Sequence, residues 1–167
     1  MPDSQPVPLT NSSPRIVSFC TTCSVDQFYP EIGESILRVL QKAGTQVIYP
    51  KAQTCCGQTA FNSGFWNEAR QIARRFIGVF DGDIPILFPS GSCAAMVRIF
   101  YEDLFHDDPS VLREVRNIAA RAVELSEYLV DVVGVDNLSF TAPNDCSIGD
   151  VTYHEAFHFA AIGALEG

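Results

Sequence analysis

Basic residues are scarce in this sequence: 11 Lys and Arg stand against 20 Asp and Glu, a formal charge of −9. No basic stripe is available to neutralise phosphates, which argues against nucleic acid as a main partner. Long apolar runs are missing too. Nothing approaches the roughly 18 to 20 residues of a membrane span, so none is expected. The first fourteen residues, MPDSQPVPLTNSSP, lack the charged and apolar regions of a secretion signal. They read as a flexible arm over residues 1–14, ahead of a single domain over residues 15–167, and the expected location is the cytoplasm. Without an export signal, six cysteines point to metal or redox chemistry rather than a disulfide framework.

What is present fits one domain of ordinary size. The chain has 167 residues, 47% of them apolar and 19% charged, enough to bury a core in a soluble globular fold. Its most unusual stretch is Cys55-Cys56-Gly57. Adjacent cysteines cannot pair with each other without distorting the peptide between them. They can present two thiolates to one metal centre, and Gly57 lets the backbone turn or approach that centre closely.

The periodicity predicts strands alternating with helices. Arg15 to Phe19 is a β-rich run that leads into Cys20-Thr21-Thr22-Cys23. A helix from Pro30 to Ala43 follows, with Ile32, Ile36, Val39, Leu40 and Ala43 on one face. Gln46 to Tyr49 is the second strand and precedes the Cys55-Cys56-Gly57 loop. A helix carrying Ala69, Ile72, Ala73, Phe76, Ile77 and Phe80 leads to a third strand, Ile84 to Phe88, apolar enough for burial on both faces. Pro89 to Cys93 then forms a tight turn into a helix reaching about Phe105. One long helix is expected from Pro109 to Val133, then a turn-rich connector, a last strand over Asp150–Tyr153 and a short helix over His154–Leu165. The fold class is α/β: a mostly parallel sheet with helices on both faces, a Rossmann-like three-layer sandwich.

In such sheets ligands bind at the carboxyl ends of the strands. Cys20 and Cys23 follow the first strand, Cys55 and Cys56 the second, Cys93 the third, and His154 the last. All of them fall on one edge. Cys23, Cys55, Cys56 and Cys93 are therefore the candidate ligands, able to supply four thiolates to an iron–sulfur cluster or, alternatively, a zinc ion. Buried free cysteines acting as small hydrophobes are the plain alternative. Cys20-x-x-Cys23 also has the spacing of a thiol–disulfide pair. His154-Glu155-Ala156-Phe157-His158 has the spacing that on a helix can hold zinc, which makes His154 and His158 secondary candidates.

These motifs resemble the cysteine-rich CCG-domain family. The resemblance rests on Phe19 with Cys23, on Cys55-Cys56-Gly57-Gln58, on Asn62-Ser63-Gly64, on Ser90-Gly91-Ser92-Cys93, and on Val151-Thr152-Tyr153-His154. The family spaces its cysteines by a little over thirty residues. Here positions 24 to 54 leave 31 between the first two motifs, and 58 to 92 leave 35 before Cys93. Within the family the pattern is nearest the iron–sulfur proteins of lactate utilisation. That resemblance implies electron transfer during oxidation of lactate to pyruvate, through an iron–sulfur cluster of the 4Fe–4S type or a zinc site on the four cysteines. It also implies other iron–sulfur subunits as partners, with a separate second-half chain or a homodimer as further arrangements. The pattern departs at Met96, where a second cysteine often stands, and at Phe157, where a second module would open with cysteine. It covers one module and the first residues of another, and it reduces His-Glu-x-x-His to a drifted form of that opening. Cys20 becomes an extra, and Cys146 matches nothing in the pattern.

Overall fold

The computed structural model of the chain describes residues 15–135. Four strands form one all-parallel sheet: β1 (Arg15–Phe19), β2 (Thr45–Ile48), β3 (Ile86–Phe88) and β4 (Ala122–Glu124), in the order β2-β1-β3-β4. Register is set by apolar neighbours across the ladder. Val17 sits opposite Val47, Phe19 opposite Leu87, and Leu87 opposite Val123. Because successive side chains point to opposite faces, β1 and β3 build two cores. Val17, Phe19 and Leu87 pack with Ile36, Leu40 and Tyr128 on one face. Cys20, Ile86, Phe88 and Ala122 pack with Ala73, Phe76, Met96, Tyr101 and Ile118 on the other.

Helices close both faces. On the first lies α2 (Pro30–Lys42), preceded by the short α1 (Cys23–Phe28). The second is covered by α4 (Trp66–Val79), by a continuous helical run, and by α7 (Pro109–Arg121). That run comprises α5 (Gly91–Ala95), a wider π-helical turn (Met96–Phe100) and α6 (Tyr101–Leu104). A further short helix, α3 (Gln58–Asn62), follows the second strand. The chain leaves β1 for β2 on one side and then returns across β1 to build β3 and β4 on the other. The order of the strands therefore reverses between β1 and β3, which is where doubly wound sheets open a crevice.

The α/β class, the three-layer arrangement and the first three strands agree with the sequence reading, with β2 one residue earlier and β3 starting at Ile86. The single helix over 109–133 is corrected. No Gly or Pro interrupts that stretch and its apolar stripe is continuous, yet Ala122–Glu124 leaves the helix to pair with β3. Pairing with a buried strand overrides local helix propensity. Two devices hold the exchange. The Arg121 guanidinium donates to the carbonyls of Ile84 and Phe80, at 2.9 and 2.7 Å. The Glu124 carboxylate accepts from the Ser126 and Glu127 N–H groups, and Glu127 accepts in return from the Glu124 N–H. That capping box starts α8 (Leu125–Glu127), which runs into a second π-helical turn (Tyr128–Val133) ended by Gly134 at φ +78°. Two smaller readings also change. Ile32, expected inward, is 44% exposed, because α2 rests on the sheet through Ile36 and Leu40, with Leu37 beside them. Tyr49 lies past the end of β2. The arm over 1–14, the last strand, His154, His158 and Cys146 lie outside the described residues.

Phe76 is fully buried, with ring centroids of Phe80 at 4.5 Å and of Phe88 and Tyr101 at 6.1 Å. Phe76→Ala is expected to destabilise the domain by about 3–5 kcal/mol, the range for emptying such a site. Urea unfolding followed by circular dichroism measures this; a change under about 1 kcal/mol would contradict this packing.

Candidate metal centre

Three strand ends bring the cysteines together. Cys23 opens α1 just after β1, Cys55 and Cys56 lie in the loop between β2 and α3, and Cys93 is the third residue of α5 after β3. All four sequence-predicted cysteines are gathered at the crevice between β1 and β3. Cys56 and Cys93 are buried, and Cys23 and Cys55 are half-buried. The five described cysteines are free thiols. They do not sit as independent side chains, however. The sulfurs of Cys23 and Cys55 are 3.8 Å apart, and Cys56 is near enough to Cys55 and Cys93 for each to shift the proton affinity of the other. Cys23, Cys55, Cys56 and Cys93 thus form one line of interacting sulfurs.

Gly57 makes that line possible. Its φ of +85° lies in the left-handed region, and it caps the start of α3. A Cβ there would sit 3.4 Å from the Ala69 carbonyl oxygen and 3.5 Å from Ile72 Cγ2. The turn aims the Gly57 N–H back at Cys55 Sγ, a 3.4 Å hydrogen bond. A Cβ at those distances would be in ordinary contact, so glycine after the vicinal pair is required by the turn.

The proton affinities along the line diverge. Hydrogen bonding from the Cys56 thiol pulls Cys55 down to about 5, with the Gly57 N–H acting in the same direction against partial burial. Cys56, the donor to both neighbours and itself buried, is pushed far above the usual thiol range. Cys93 is lowered, again by the Cys56 thiol first, with the Ser90 and Ser92 hydroxyls adding to it. Cys23 is raised by burial and by the adjacent Cys55 charge. Cys20 is raised well above the usual range by burial among the same sulfurs. A thiol–disulfide pair at Cys20 and Cys23 would need an acidified member, and neither cysteine is one.

Side chains that the sequence reading did not single out hold the three loops in place. The Gln53 Oε1 accepts from the Thr21 N–H at 2.8 Å while its Nε2 donates to the Phe19 carbonyl at 3.4 Å, tying the second loop to the first. The Gln58 Nε2 donates to the Ser92 carbonyl at 3.1 Å, tying the second loop to the third. The buried Tyr101 hydroxyl donates to the Cys56 carbonyl at 2.8 Å. A glutamine two residues before the cysteine pair, and a tyrosine eight after Cys93, carry no local pattern that would mark them.

Beside Cys23 and Cys55 opens a cleft of about 280 Å³, walled also by Thr21, Thr54, Gln53, Tyr49, Asp26 and Lys51. Three hydroxyls around it, those of Thr21, Thr22 and Thr54, are buried without a hydrogen-bond partner. Among the described residues, no group of three or more His, Cys, Asp or Glu side chains is arranged to hold a single metal ion. The arrangement gathers four sulfurs and lowers the proton affinity of Cys55 and Cys93.

Residues 17–98, which contain all four of these cysteines, match the model of the CCG cysteine-rich domain. This chain belongs to the CCG cysteine-rich-domain family. Curated proteins similar to this chain include several lactate utilization proteins. Lactate utilization protein A of Geobacillus kaustophilus is 38% identical over 146 residues, 87% of this chain and 59% of its own length. Lactate utilization protein A 2 of Bacillus cereus is 34% identical over 151 residues, 90% of this chain and 60% of its own length. Lactate utilization protein A of Geobacillus thermodenitrificans is 35% identical over 146 residues. The chain spans about 60% of the length of these relatives. No solved structure matches it.

The acidified Cys55 has a direct test in metal-free protein. Its alkylation by iodoacetamide is expected to stay nearly constant from pH 9 down to about 6 and to fall through a midpoint of about 5. Cys55→Ser removes that phase; a fastest thiol with a midpoint near the ordinary value of about 8.5 would refute the acidification. The same shift has a sign for stability. Between about 5 and about 8.5 the unfolded chain binds the proton that native Cys55 lacks, so Cys55 contributes stability that grows with pH and is lost as pH falls through about 5. Cys56 acts oppositely, its contribution declining as pH rises past about 8.5.

Proposed function

We propose that this chain is an iron–sulfur electron-transfer protein, a redox subunit rather than a self-sufficient enzyme, with Cys23, Cys55, Cys56 and Cys93 as the cluster ligands. The observation that carries the reading is the gathering of four thiols from three separate loops at the crevice of the sheet, with the Cys23 and Cys55 sulfurs 3.8 Å apart. Their chemistry fits an iron–sulfur group. Thiolates are the ligands such clusters take, and Cys55 and Cys93 are already biased toward that form. Such a cluster supplies one-electron chemistry when bound. The residues around it set the conditions: the Gly57 N–H and the Ser90 and Ser92 hydroxyls stabilise negative charge on sulfur, and the burial of Cys56 and Cys93 shields the group from water. Cys56 holds its proton most tightly and must release it before it can serve as a ligand.

A zinc ion on the same residues is the second reading. A structural zinc needs its ligands converged on a tetrahedron. No group of three or more described His, Cys, Asp or Glu side chains is arranged to hold a single ion, and this favours the cluster. The name of these relatives supports a place in lactate utilisation; the proposal extends it to the oxidation of lactate to pyruvate, with the 4Fe–4S form as the cluster, in the cytoplasm, alongside other iron–sulfur subunits. A second copy of the chain is a further possible partner. No helix among the described residues is long and apolar enough to cross a membrane.

Protein purified without oxygen tests this reading through its visible absorption, with iron, sulfide and zinc measured on the same sample. A brown protein with near-stoichiometric iron and sulfide is expected, and Cys55→Ser or Cys56→Ser is expected to lose most of both. Zinc without colour would replace the cluster with the structural site. Neither metal, after reconstitution with iron and sulfide, would remove both readings.

A further inference from the structure

The cleft beside Cys23 and Cys55 is sized for something small. Its volume of about 280 Å³ falls just below the roughly 300–1,000 Å³ of pockets that take drug-sized ligands. A nucleotide or a peptide would not fit there; a molecule of a few carbon atoms would. The cleft also gives such a molecule access to sulfur. Cys23 and Cys55 are half-buried and line it, whereas Cys56 and Cys93 are buried away from it.

Its wall carries both signs of charge, and they are not spent on each other. Lys51 lies between β2 and the cysteine pair, and Asp26 lies in α1. Both line the cleft, yet neither makes an ion pair with the other or with any other described residue. Elsewhere on the surface opposite charges close up: Arg70 on Asp107 at 2.8 Å, Arg74 on Asp108 and Arg116 on Glu102 at 2.6 Å. Two hydroxyls of the same wall, those of Thr21 and Thr54, are also left without a partner. The polar groups of this cleft are therefore unspent within the protein, and together they define a ligand. An ammonium group donates, so Lys51 suits a carboxylate. A carboxylate only accepts, so Asp26 calls for a donor on the same molecule. A plain carboxylic acid or a keto acid satisfies Lys51 and leaves Asp26 unmatched. A hydroxy acid satisfies both.

We propose that this cleft binds a small α-hydroxy acid, with its carboxylate on the Lys51 ammonium group and its hydroxyl donating to the Asp26 carboxylate. An amino acid offers a donor in the same place, and the choice of a hydroxy acid over it rests on the lactate-utilisation reading above. The arrangement selects by the hydroxyl: it holds the hydroxy acid and releases the keto acid that would result from its oxidation. Every group involved belongs to the chain itself, so binding does not require a metal.

The test is calorimetric titration of the full chain, purified without oxygen, before and after removal of any metal. Metal-free wild type is expected to bind L-lactate saturably, and pyruvate, propionate and L-alanine about five-fold more weakly or worse, the value of one hydrogen bond. Lys51→Met is expected to weaken L-lactate by about ten-fold or more, the value of a bond to a charged group. Asp26→Ala is expected to bring L-lactate and propionate to equal affinity. Glu31→Ala removes the same charge from a residue outside the cleft wall and is expected to keep the preference. Lys51, Asp26 and Glu31 are exposed, so these substitutions leave the core intact. No saturable L-lactate binding by metal-free wild type, full affinity in Lys51→Met, or L-alanine binding more tightly than L-lactate would each overturn the assignment. The iron–sulfur reading fails separately. Colourless, iron-free protein that binds L-lactate through Lys51 removes that reading and leaves the cleft; a brown, loaded protein that ignores L-lactate does the reverse.

Discussion

Everything at the cysteine site depends on β1 being paired on both sides, to β2 and to β3, in the same direction. Parallel pairing puts the carboxyl ends of all three strands on one edge, so loops separated by more than thirty residues of sequence meet there. It also obliges each strand to be followed by a crossover, and the helices of those crossovers carry the apolar residues that bury the sheet. The cores and the site are thus two results of one hydrogen-bonding pattern. Gln53 and Gln58 then lock the second loop to its neighbours on either side, converting a shared edge into a defined set of distances.

Within that frame the local chemistry is governed by crowding. Four thiols in so small a volume cannot all ionise, and the structure distributes the remaining protons unevenly. Cys56 sits between two acceptors and keeps its proton, while Cys55 and Cys93 gain its hydrogen bond and give theirs up more readily. Adjacent residues of identical chemistry therefore end with opposite tendencies. Their environments differ because Cys55 faces the cleft and the Gly57 N–H, whereas Cys56 is pinned by Tyr101 through its own carbonyl and turned into the core.

Much of this was legible in the sequence, and the parts that were not have physical reasons. The 15–19 run, the apolar third strand and the glycine after the cysteine pair announced a parallel sheet with its chemistry on one edge, because strand periodicity and left-handed turns leave local marks. The four cysteines could be chosen for the same reason: each follows a strand. The fourth strand was invisible. Ala122-Val123-Glu124 reads as helix by every local criterion, and only its partner β3, more than thirty residues away, makes it a strand. Gln53 and Tyr101 were equally silent, since each acts by reaching a carbonyl or N–H on a distant loop.

The left-handed turn at Gly57 has a further consequence. By aiming a backbone N–H at Cys55 it fixes negative charge on a sulfur that is half open to solvent. Thiolates of that kind are the ones peroxide attacks first, passing through sulfenic acid toward irreversible forms. Cys20 and Cys56, protonated and buried, are shielded from the same chemistry. The geometry that gives Cys55 its charge thus also gives the protein an exposed point of oxidative damage.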